Sequence, residues 1–375
     1  MLLRLIGITL GALVSAVAVL AQAPTPLISP EVHADRRVTF RFRAPNAGEV
    51  LLDREGAARQ PMRKDDQGVW SVTTDPLEPD LYGYSFVTDG VSLLDPSNPS
   101  MKPNLLNLSN LVHVPGPSSL PWEVTEVPRG TIHHHFYKSA AVGASSDFFV
   151  YTPPGYDPRA GTVYPVFYLL HGFSDDASAW TAVGRAHVIL DNLIAQRQAR
   201  PMLVVMPLGY GALEIVSRVG SGLRDAGLRR RSYEQFRAAL LREIMPDVEK
   251  TYRVSKERRA RAIAGLSMGG AESLFIGLNA VDRFAWIGAF SSGGLPDDDF
   301  SATFPTLDSR ANTQLRLLWI ACGTEDRLID GSRKMRDWLK SKGIRHVGIE
   351  TPGAHTWMVW RRNLASFVPL LFVEK

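Results

Sequence analysis

The segment Gly265-Leu266-Ser267-Met268-Gly269-Gly270 sets the architecture of the second half of the chain. A run of β-branched and small residues, Arg261 to Leu266, leads into the serine, and an Ala/Leu-rich stretch follows it. The sequence therefore predicts a strand, a tight turn at Ser267 and a helix. Gly265 and Gly269 fit this turn because a side chain at either position would collide with the neighbouring strand or helix. Such a turn strains the backbone and exposes the serine hydroxyl, an arrangement typical of nucleophiles.

Strands and amphipathic helices alternate on both sides of this turn, from about residue 125 to the end of the chain. A long helix is predicted over Tyr233 to Tyr252, because apolar residues recur there four apart on one face. The predicted strands are Asp147 to Thr152, Val163 to Leu170, Met202 to Met206, Arg261 to Leu266, Phe284 to Phe290, Leu315 to Ala321 and His346 to Thr351. The alternation predicts an α/β fold with a mostly parallel sheet covered by helices.

The first part of the chain has a different pattern, with short strands and turns. Val38 to Arg43 alternates apolar and polar residues, as a half-buried strand does, and Asp89-Gly90 is typical of a hairpin turn. We therefore expect a small immunoglobulin-like β-sandwich over residues 28–98. Residues 99–124 are rich in proline, which cannot donate to a strand ladder, so they are predicted to link the sandwich to an α/β domain over residues 125–375.

The N-terminus is predicted to be a signal peptide over residues 1–23. Arg4 supplies the positive start, Leu5 to Leu20 is apolar, and Ala21-Gln22-Ala23 has the small-x-small form of a cleavage site. An uncleaved membrane anchor is the alternative, since the apolar stretch is nearly as long as the ~20 residues that cross a bilayer. We expect a secreted or periplasmic protein with no stable membrane insertion after cleavage.

The composition excludes several classes of function. The 375 residues carry 42 basic and 38 acidic side chains without a polybasic tract, so no nucleic-acid partner is expected. Cys322 is the single cysteine, which excludes an intrachain disulfide and a multi-thiolate metal site. His133, His134 and His135 are consecutive strand residues that face alternate sides, so they cannot converge on one ion. Neither a metal nor another cofactor is expected.

A serine hydroxyl is a weak nucleophile near neutral pH, so Ser267 requires a general base and an acid that orients the base. For a nucleophile on a strand–turn–helix, the acid and then the histidine follow along the chain. His346 and His355 are the two histidines after Ser267, and His355 is the predicted base because it lies in a Gly-containing loop before the last helix. The loop after the penultimate strand offers two candidate acids, Glu325 and Asp326.

The negative charge that develops on an ester carbonyl oxygen requires amide donors. The helix after Ser267 directs the backbone amide of Met268 towards this oxygen. A second donor usually comes from the loop after an earlier strand, and His171-Gly172-Phe173 occupies that place. The backbone N–H groups of Phe173 and Met268 are therefore the predicted oxyanion donors, and His171 is expected to form structural hydrogen bonds.

The chain resembles the esterase D type family of α/β-hydrolases, in the branch of family 1 carbohydrate esterases that holds feruloyl and acetylxylan esterases. The resemblance covers nearly all of residues 125–375 and is carried by Tyr151 to Tyr156, Tyr168 to Gly172, Gly265 to Gly270, Cys322 to Asp326 and Gly353 to Trp357. It implies that Ser267 is the nucleophile, His355 the base and Asp326 the acid. The front domain resembles the early-set β-sandwich related to family 48 carbohydrate-binding modules, through Pro45 to Ala47, Gly68 to Trp70 and Tyr82 to Tyr84. Glycan capture and a spacer or stabilising role are both open for it.

The resemblance implies a secreted serine carboxylic-ester hydrolase that removes feruloyl or acetyl groups from xylan through an acyl-enzyme. Its partner would be a polysaccharide-linked or small-molecule ester. Trp180, Tyr210 and Trp357 lie in loops expected at the carboxyl ends of strands, where they are predicted to bind a hydroxycinnamoyl group. The alternative functions are a siderophore trilactone esterase, a mycolyl-type acyltransferase and a catalytically silent glycan-binding protein.

Overall fold

A computed structural model describes residues 26–217, 222, 224–295 and 299–373 of the protein. The predicted signal peptide lies outside these residues, so its cleavage stays a prediction. None of the helices in these ranges combines the length and the apolar character needed to cross a membrane.

The chain first forms a β-sandwich. Its strands are β1 (Glu31–Val32), β2 (Val38–Arg43), β3 (Val50–Arg54), β4 (Gln60–Pro61), β5 (Arg63–Lys64), β6 (Val69–Thr73), β7 (Asp80–Thr88), β8 (Val91–Leu93), β9 (Met101–Lys102) and β10 (Ser109–Val114). One antiparallel sheet has the order β1-β2-β6-β5, and the other has the order β4-β3-β7-β10-β9 with β8 paired to β7. Aromatic side chains such as Phe40, Tyr84 and Phe86 fill the core between the sheets.

The predicted linker, residues 99–124, contains part of this sandwich instead. Both β9 and β10 lie within it, and β10 pairs with β7 on one side and β9 on the other. The prediction was wrong because it treated the proline content of the whole segment as uniform. No proline occurs between Pro103 and Pro115, and β10 occupies this gap. The sandwich therefore extends to about residue 114 instead of ending at residue 98.

The rest of the chain forms a mixed sheet with helices. Its strands are β11 (Thr131–Ser139), β12 (Ala144–Thr152), β13 (Val166–Leu170), β14 (Leu203–Pro207), β15 (Arg261–Leu266), β16 (Trp286–Phe290), β17 (Leu317–Gly323) and β18 (Val347–Thr351). The sheet order is β11-β12-β14-β13-β15-β16-β17-β18, and all pairings from β14 to β18 are parallel. Only the pairings made by β12 are antiparallel in the described part of this sheet. The predicted α/β fold is confirmed.

Helices cover both faces of this sheet. They are α1 (Ala179–Ala182), α2 (Ala186–Ala195), α3 (Glu214–Ser217), α4 (Ala226–Ala239), α5 (Met245–Thr251), α6 (Met268–Leu278), α7 (Phe300–Thr303), α8 (Ile329–Ser341) and α9 (Trp357–Phe367). A π-helical turn at Leu240–Ile244 joins α4 to α5, so the predicted long helix is continuous but not uniformly α-helical. Short 3₁₀ turns occur at Arg258–Ala260, Ser309–Thr313 and Val368–Leu370.

The sandwich packs directly on the α/β part through β7. Because successive residues of a strand face opposite sides, Tyr84 lies in the sandwich core while Leu81 joins an apolar cluster formed mainly by the α/β part. The carboxylate of Asp80 accepts hydrogen bonds from Arg361 of α9, and both side chains are fully buried. The two parts therefore share a core and a buried ion pair.

Candidate active site

Ser267 occupies the turn between β15 and α6, with φ at 51° and ψ at −114°. This positive φ is strained for a residue with a side chain. Backbone hydrogen bonds of 2.8 Å, one to the end of β16 and one from Gly293, hold the turn. Both predicted glycines are required, because a Cβ on Gly265 would lie 2.6 Å from the carbonyl carbon of Gly269, and a Cβ on Gly269 would lie 2.4 Å from the carbonyl oxygen of His171.

The structure brings the three predicted catalytic side chains together. Nε2 of His355 lies 2.9 Å from Oγ of Ser267, although the two residues are 88 positions apart. Nδ1 of the same ring lies 2.8 Å from Oδ2 of Asp326. The serine follows β15, the acid follows β17 and the histidine follows β18, so all three lie at the carboxyl edge of the parallel strands. A base within reach of the nucleophile, oriented by an acid, is the arrangement that activates a serine hydroxyl.

The carboxylate of Asp326 is held in its ionised form. Burial alone would raise the pKa of this group, but the hydrogen bond and charge of His355 and the N–H of Leu328, 2.9 Å from Oδ1, outweigh burial and lower the pKa. An ionised Asp326 keeps the imidazole proton of His355 on Nδ1. The other nitrogen, Nε2, is then free to accept a proton from Ser267.

The alternative acid and base make other contacts. The exposed carboxyl group of Glu325 accepts a hydrogen bond from Thr324. Nδ1 of His346 hydrogen-bonds to the carbonyl oxygen of Ile344. The described residues contain no hydrogen bond from either side chain to Ser267, which leaves Asp326 and His355 as the geometric partners of the serine.

Both predicted oxyanion donors lie close to the serine. Met268 begins α6, and the loop before Phe173 packs against the serine, since a Cβ on Gly172 would lie 3.5 Å from the Cβ of Ser267. Within the described ranges, neither the N–H of Phe173 nor that of Met268 donates a backbone hydrogen bond. Two unpaired amides beside the nucleophile can stabilise a developing oxyanion.

His171 holds the loop that carries Phe173. Its buried ring accepts the N–H of Gly209 at Nε2 over 2.9 Å and donates from Nδ1 to the carbonyl oxygen of Gly172 over 2.8 Å. Burial lowers the pKa of His171, so the ring is neutral and keeps this pair of contacts. The C=O of Gly172 and the N–H of Phe173 belong to one trans peptide and point in opposite directions. Fixing the carbonyl therefore also fixes the direction of the amide.

The three aromatic residues predicted to contact substrate do not line an open surface. Trp180, Tyr210 and Trp357 are only 1%, 2% and 2% exposed. The indole N–H of Trp180 donates to the carbonyl oxygen of Leu170, and its ring packs edge-on against Trp357. The hydroxyl of Tyr210 donates to the carbonyl oxygen of Asp175 over 2.9 Å. This prediction was wrong because position after a strand does not fix the direction of a side chain, and these rings are buried.

The histidine run on β11 has structural contacts. His134 hydrogen-bonds to Asp147, and His135 hydrogen-bonds to Tyr252. The described part of the chain contains no group of three or more histidine, cysteine or acidic side chains arranged to hold a metal ion.

The sandwich also contacts the site, which the sequence predictions did not include. Oε1 of Glu55 accepts the N–H of Trp357, two residues after His355, over 2.9 Å. The two residues are 302 positions apart, and no motif near either one indicates that they meet.

Comparisons with known proteins identify similar esterases. The family model described as putative esterase matches residues 139–371, more than half of the chain. An endo-1,4-beta-xylanase/feruloyl esterase from Xylanibacter ruminicola is 28% identical over 351 residues, which cover 92% of this chain and 46% of that protein. An esterase from Mycobacterium tuberculosis is 25% identical over 283 residues, which cover 64% of this chain and 59% of that protein. The chain thus spans about half the length of these curated relatives.

Solved structures show the same architecture. A family 1 ferulic acid esterase from Anaeromyces mucronatus, in complex with ferulic acid, is 25% identical with a TM-score of 0.59, covering 68% of this chain and 96% of that one. The enterobactin esterase of Shigella flexneri has a TM-score of 0.64 and covers 89% of this chain and 92% of that one, but at 19% identity it shows the fold alone. The family match and the α/β-hydrolase architecture agree, and the chain belongs to the putative esterase family.

Proposed function

We propose that this protein is an exported serine esterase that releases feruloyl or acetyl groups from xylan through an acyl-enzyme on Ser267. The observation that carries the proposal is the hydrogen-bonded series from Ser267 through His355 to the buried Asp326. The amides of Phe173 and Met268, which donate no backbone hydrogen bond within the described part of the chain, support it, because a set of side chains without oxyanion donors would lack most of its transition-state stabilisation.

The geometry supports the following sequence of steps. Oγ of Ser267 attacks the ester carbonyl carbon while Nε2 of His355 takes the hydroxyl proton. The carbonyl oxygen becomes an oxyanion between the amides of Phe173 and Met268. The C–O bond to the leaving alcohol then breaks, and His355 returns the proton to that oxygen. Water repeats the attack on the acyl-enzyme with His355 as base, which releases the acid and restores Ser267.

Two similarities support the polysaccharide substrate. The Xylanibacter ruminicola relative is named a xylanase/feruloyl esterase and aligns with 92% of this chain, so the alignment includes the sandwich as well as the α/β part. The Anaeromyces mucronatus structure contains ferulic acid. A siderophore trilactone esterase is the second candidate, because the enterobactin esterase structure also aligns with both parts of the chain.

The test uses purified protein with methyl ferulate, acetylated xylan and a catecholate trilactone as substrates. The parent should hydrolyse methyl ferulate or acetylated xylan, and Ser267→Ala should reduce the rate by at least about 10³-fold. Ser341→Ala, at an exposed serine on α8, is the matched control and should leave the rate unchanged. Hydrolysis by Ser267→Ala at the parent's rate would reject the nucleophile, and activity on the trilactone alone would reject the polysaccharide substrate.

Export has a separate test. Expression of the full chain in a bacterium with an outer membrane should give a periplasmic or secreted product whose N-terminus is Pro24. A product that keeps Met1 in the membrane fraction would favour the anchor instead.

A further inference from the structure

The sandwich contacts the loop that carries His355. Glu55 follows β3, and its Oε1 accepts the N–H of Trp357, the first residue of α9, over 2.9 Å. The residue expected to cap this helix, Thr356, makes no side-chain cap hydrogen bond. The carboxylate of Glu55 therefore supplies the cap from a distant part of the chain, and its negative charge lies at the positive end of the helix.

The loop of His355 has a second attachment on the opposite side. The N–H of Glu325 donates to the carbonyl oxygen of Gly353 over 3.2 Å, which ties the histidine loop to the loop of Asp326. His355 thus lies between one anchor in the acid loop and one anchor in the sandwich. Without Glu55 the hydrogen bond between the sandwich and the start of α9 is lost, and the ring could move relative to Ser267.

Glu55 is itself fixed in place as an anion. Its Oε2 accepts from Nζ of Lys102 and from the N–H of Gly83, each over 3.2 Å, and its side chain is 12% exposed. Burial would raise the pKa of Glu55, but the charge of Lys102 and the N–H groups of Trp357 and Gly83 outweigh it and lower the pKa. Gly83 leaves room for this pair, because a Cβ there would lie 3.0 Å from Cδ of Lys102.

The same part of the sandwich also contacts the loop of Phe173. Nδ2 of Asn104 donates to Oγ of Ser174 over 2.9 Å and to Oδ1 of Asp175 over 3.1 Å. The N–H of Leu105 donates to the carbonyl oxygen of Ser174 over 2.7 Å. Ser174 follows Phe173 directly, so these contacts fix the residue after the predicted oxyanion donor.

We propose that Glu55 and Asn104 are positioning residues for ester hydrolysis, Glu55 through the loop of His355 and Asn104 through the loop of Phe173. The sandwich then contributes to turnover by holding both loops at the distance that proton transfer and oxyanion binding require. This inference rests on the proposed function. It assigns the sandwich a role in the chemistry that is independent of whether it binds glycan.

The test compares Glu55→Ala, Glu55→Gln and Asn104→Ala in the full-length protein with Asp53→Ala. Asp53 is the matched control because it lies on β3 and pairs with exposed Arg59 on the surface. An aryl ester that releases its chromophore on acylation of Ser267 counts the functional sites in each sample. A structural defect lowers the number of sites, whereas a positioning defect lowers turnover per site.

We expect Glu55→Ala to lower turnover per titrated site by about 10- to 100-fold with KM within about twofold of the parent, since an error of about 1 Å in placement costs up to about 10²-fold. Asn104→Ala should act in the same direction. Glu55→Gln should recover part of the loss because its amide oxygen can still accept the N–H of Trp357. The control should match the parent. Turnover per site within twofold of the parent in both alanine variants would overturn the proposal.

Amide hydrogen exchange gives a readout that does not need catalysis. Exchange in residues 352–358 should rise in Glu55→Ala, and exchange in residues 171–176 should rise in Asn104→Ala, with no change in the control. Unchanged exchange in both loops would also overturn the proposal. If the parent and Ser267→Ala hydrolyse esters equally, the proposed function fails, and the exchange experiment still decides whether these side chains hold the loops.

Discussion

Removal of one partner of the buried pair Asp80 and Arg361 should be the most destabilising single substitution at the interface between the sandwich and the α/β part. The guanidinium donates to Oδ1 of Asp80 from Nε over 2.8 Å and from Nη2 over 2.5 Å. It also donates to the carbonyl oxygens of Val183 and Leu81 over 2.8 and 2.7 Å. Both charged side chains are 0% exposed, so water cannot replace either partner.

The size of each loss in stability depends on which buried groups lose their hydrogen-bond partners. Asp80→Ala leaves a buried cation whose remaining acceptors are two neutral carbonyl groups, and loss of one partner of a buried pair costs about 3 to 5 kcal/mol. Arg361→Met leaves the carboxylate of Asp80 with Arg362, at 3.3 Å, as its cationic neighbour. The double variant Asp80→Leu/Arg361→Met removes both charges and leaves two carbonyl groups without donors, at about 1 to 3 kcal/mol each. It should therefore be more stable than the sum of the single changes predicts.

Scanning calorimetry on the parent, both single variants and the double variant measures these differences, after a check that each unfolds in one transition. Asp35→Ala is the matched control, since Asp35 pairs with Arg37 on the surface, where loss of an ion pair changes stability little. If Asp80→Ala unfolds at the same temperature as the control, the buried pair does not stabilise the interface, and the reasoning from burial and hydrogen bonding is refuted.

Three further substitutions test other parts of the site. Asp326→Asn should lower kcat by about 10⁴-fold, because the amide favours the wrong tautomer of the base; steady-state kinetics showing a loss below tenfold would contradict this. Burial raises the pKa of Asp175 to about 7. Between about pH 4 and pH 7 the folded protein therefore keeps a proton on Asp175 that the unfolded chain has released. The free energy of unfolding falls as the pH rises through this range. Asp175→Asn should therefore melt higher than the parent at pH 8 and equally at pH 4; equal melting at both pH values would be inconsistent with the raised pKa. Gly269→Ala should yield little folded protein, because its Cβ would lie 2.4 Å from the carbonyl oxygen of His171, whereas Gly161→Ala, with open space around it, should fold normally by circular dichroism.

The α/β fold was predictable because its signals are local. The strand, turn and helix around Ser267 are contiguous, and the two glycines of the turn show where backbone atoms approach each other. The order of nucleophile, acid and base along the chain then reduced the choice of base to two histidines. The structure places His355 against Ser267 because both follow parallel strands that end at the same edge of the sheet.

The errors arose where the outcome depends on direction in space. Trp180 and Trp357 follow predicted strands along the chain, but their rings pack against each other inside the protein, with centroids 5.1 Å apart. The linker prediction failed for a related reason, because β10 needs only six residues free of proline and a free edge of β7 to pair with. Residue types alone give neither the direction of an aromatic ring nor the presence of a strand with an unpaired edge.

The contacts between the two parts of the chain were also beyond prediction, and their chemistry explains why the interface is partly polar. Apolar contacts such as those of Leu81 tolerate small displacements, whereas the bonds from Arg361 to Asp80 and from Trp357 to Glu55 are satisfied in one orientation. We infer that the polar contacts fix the orientation of the sandwich on the α/β part. The apolar contacts supply most of the free energy that holds the two parts together. The double variant Asp80→Leu/Arg361→Met separates the two effects. This double variant should be more stable than the sum of the single changes predicts, while its turnover per titrated site stays below that of the parent. If its turnover equals that of the parent, apolar packing alone sets the orientation of the sandwich.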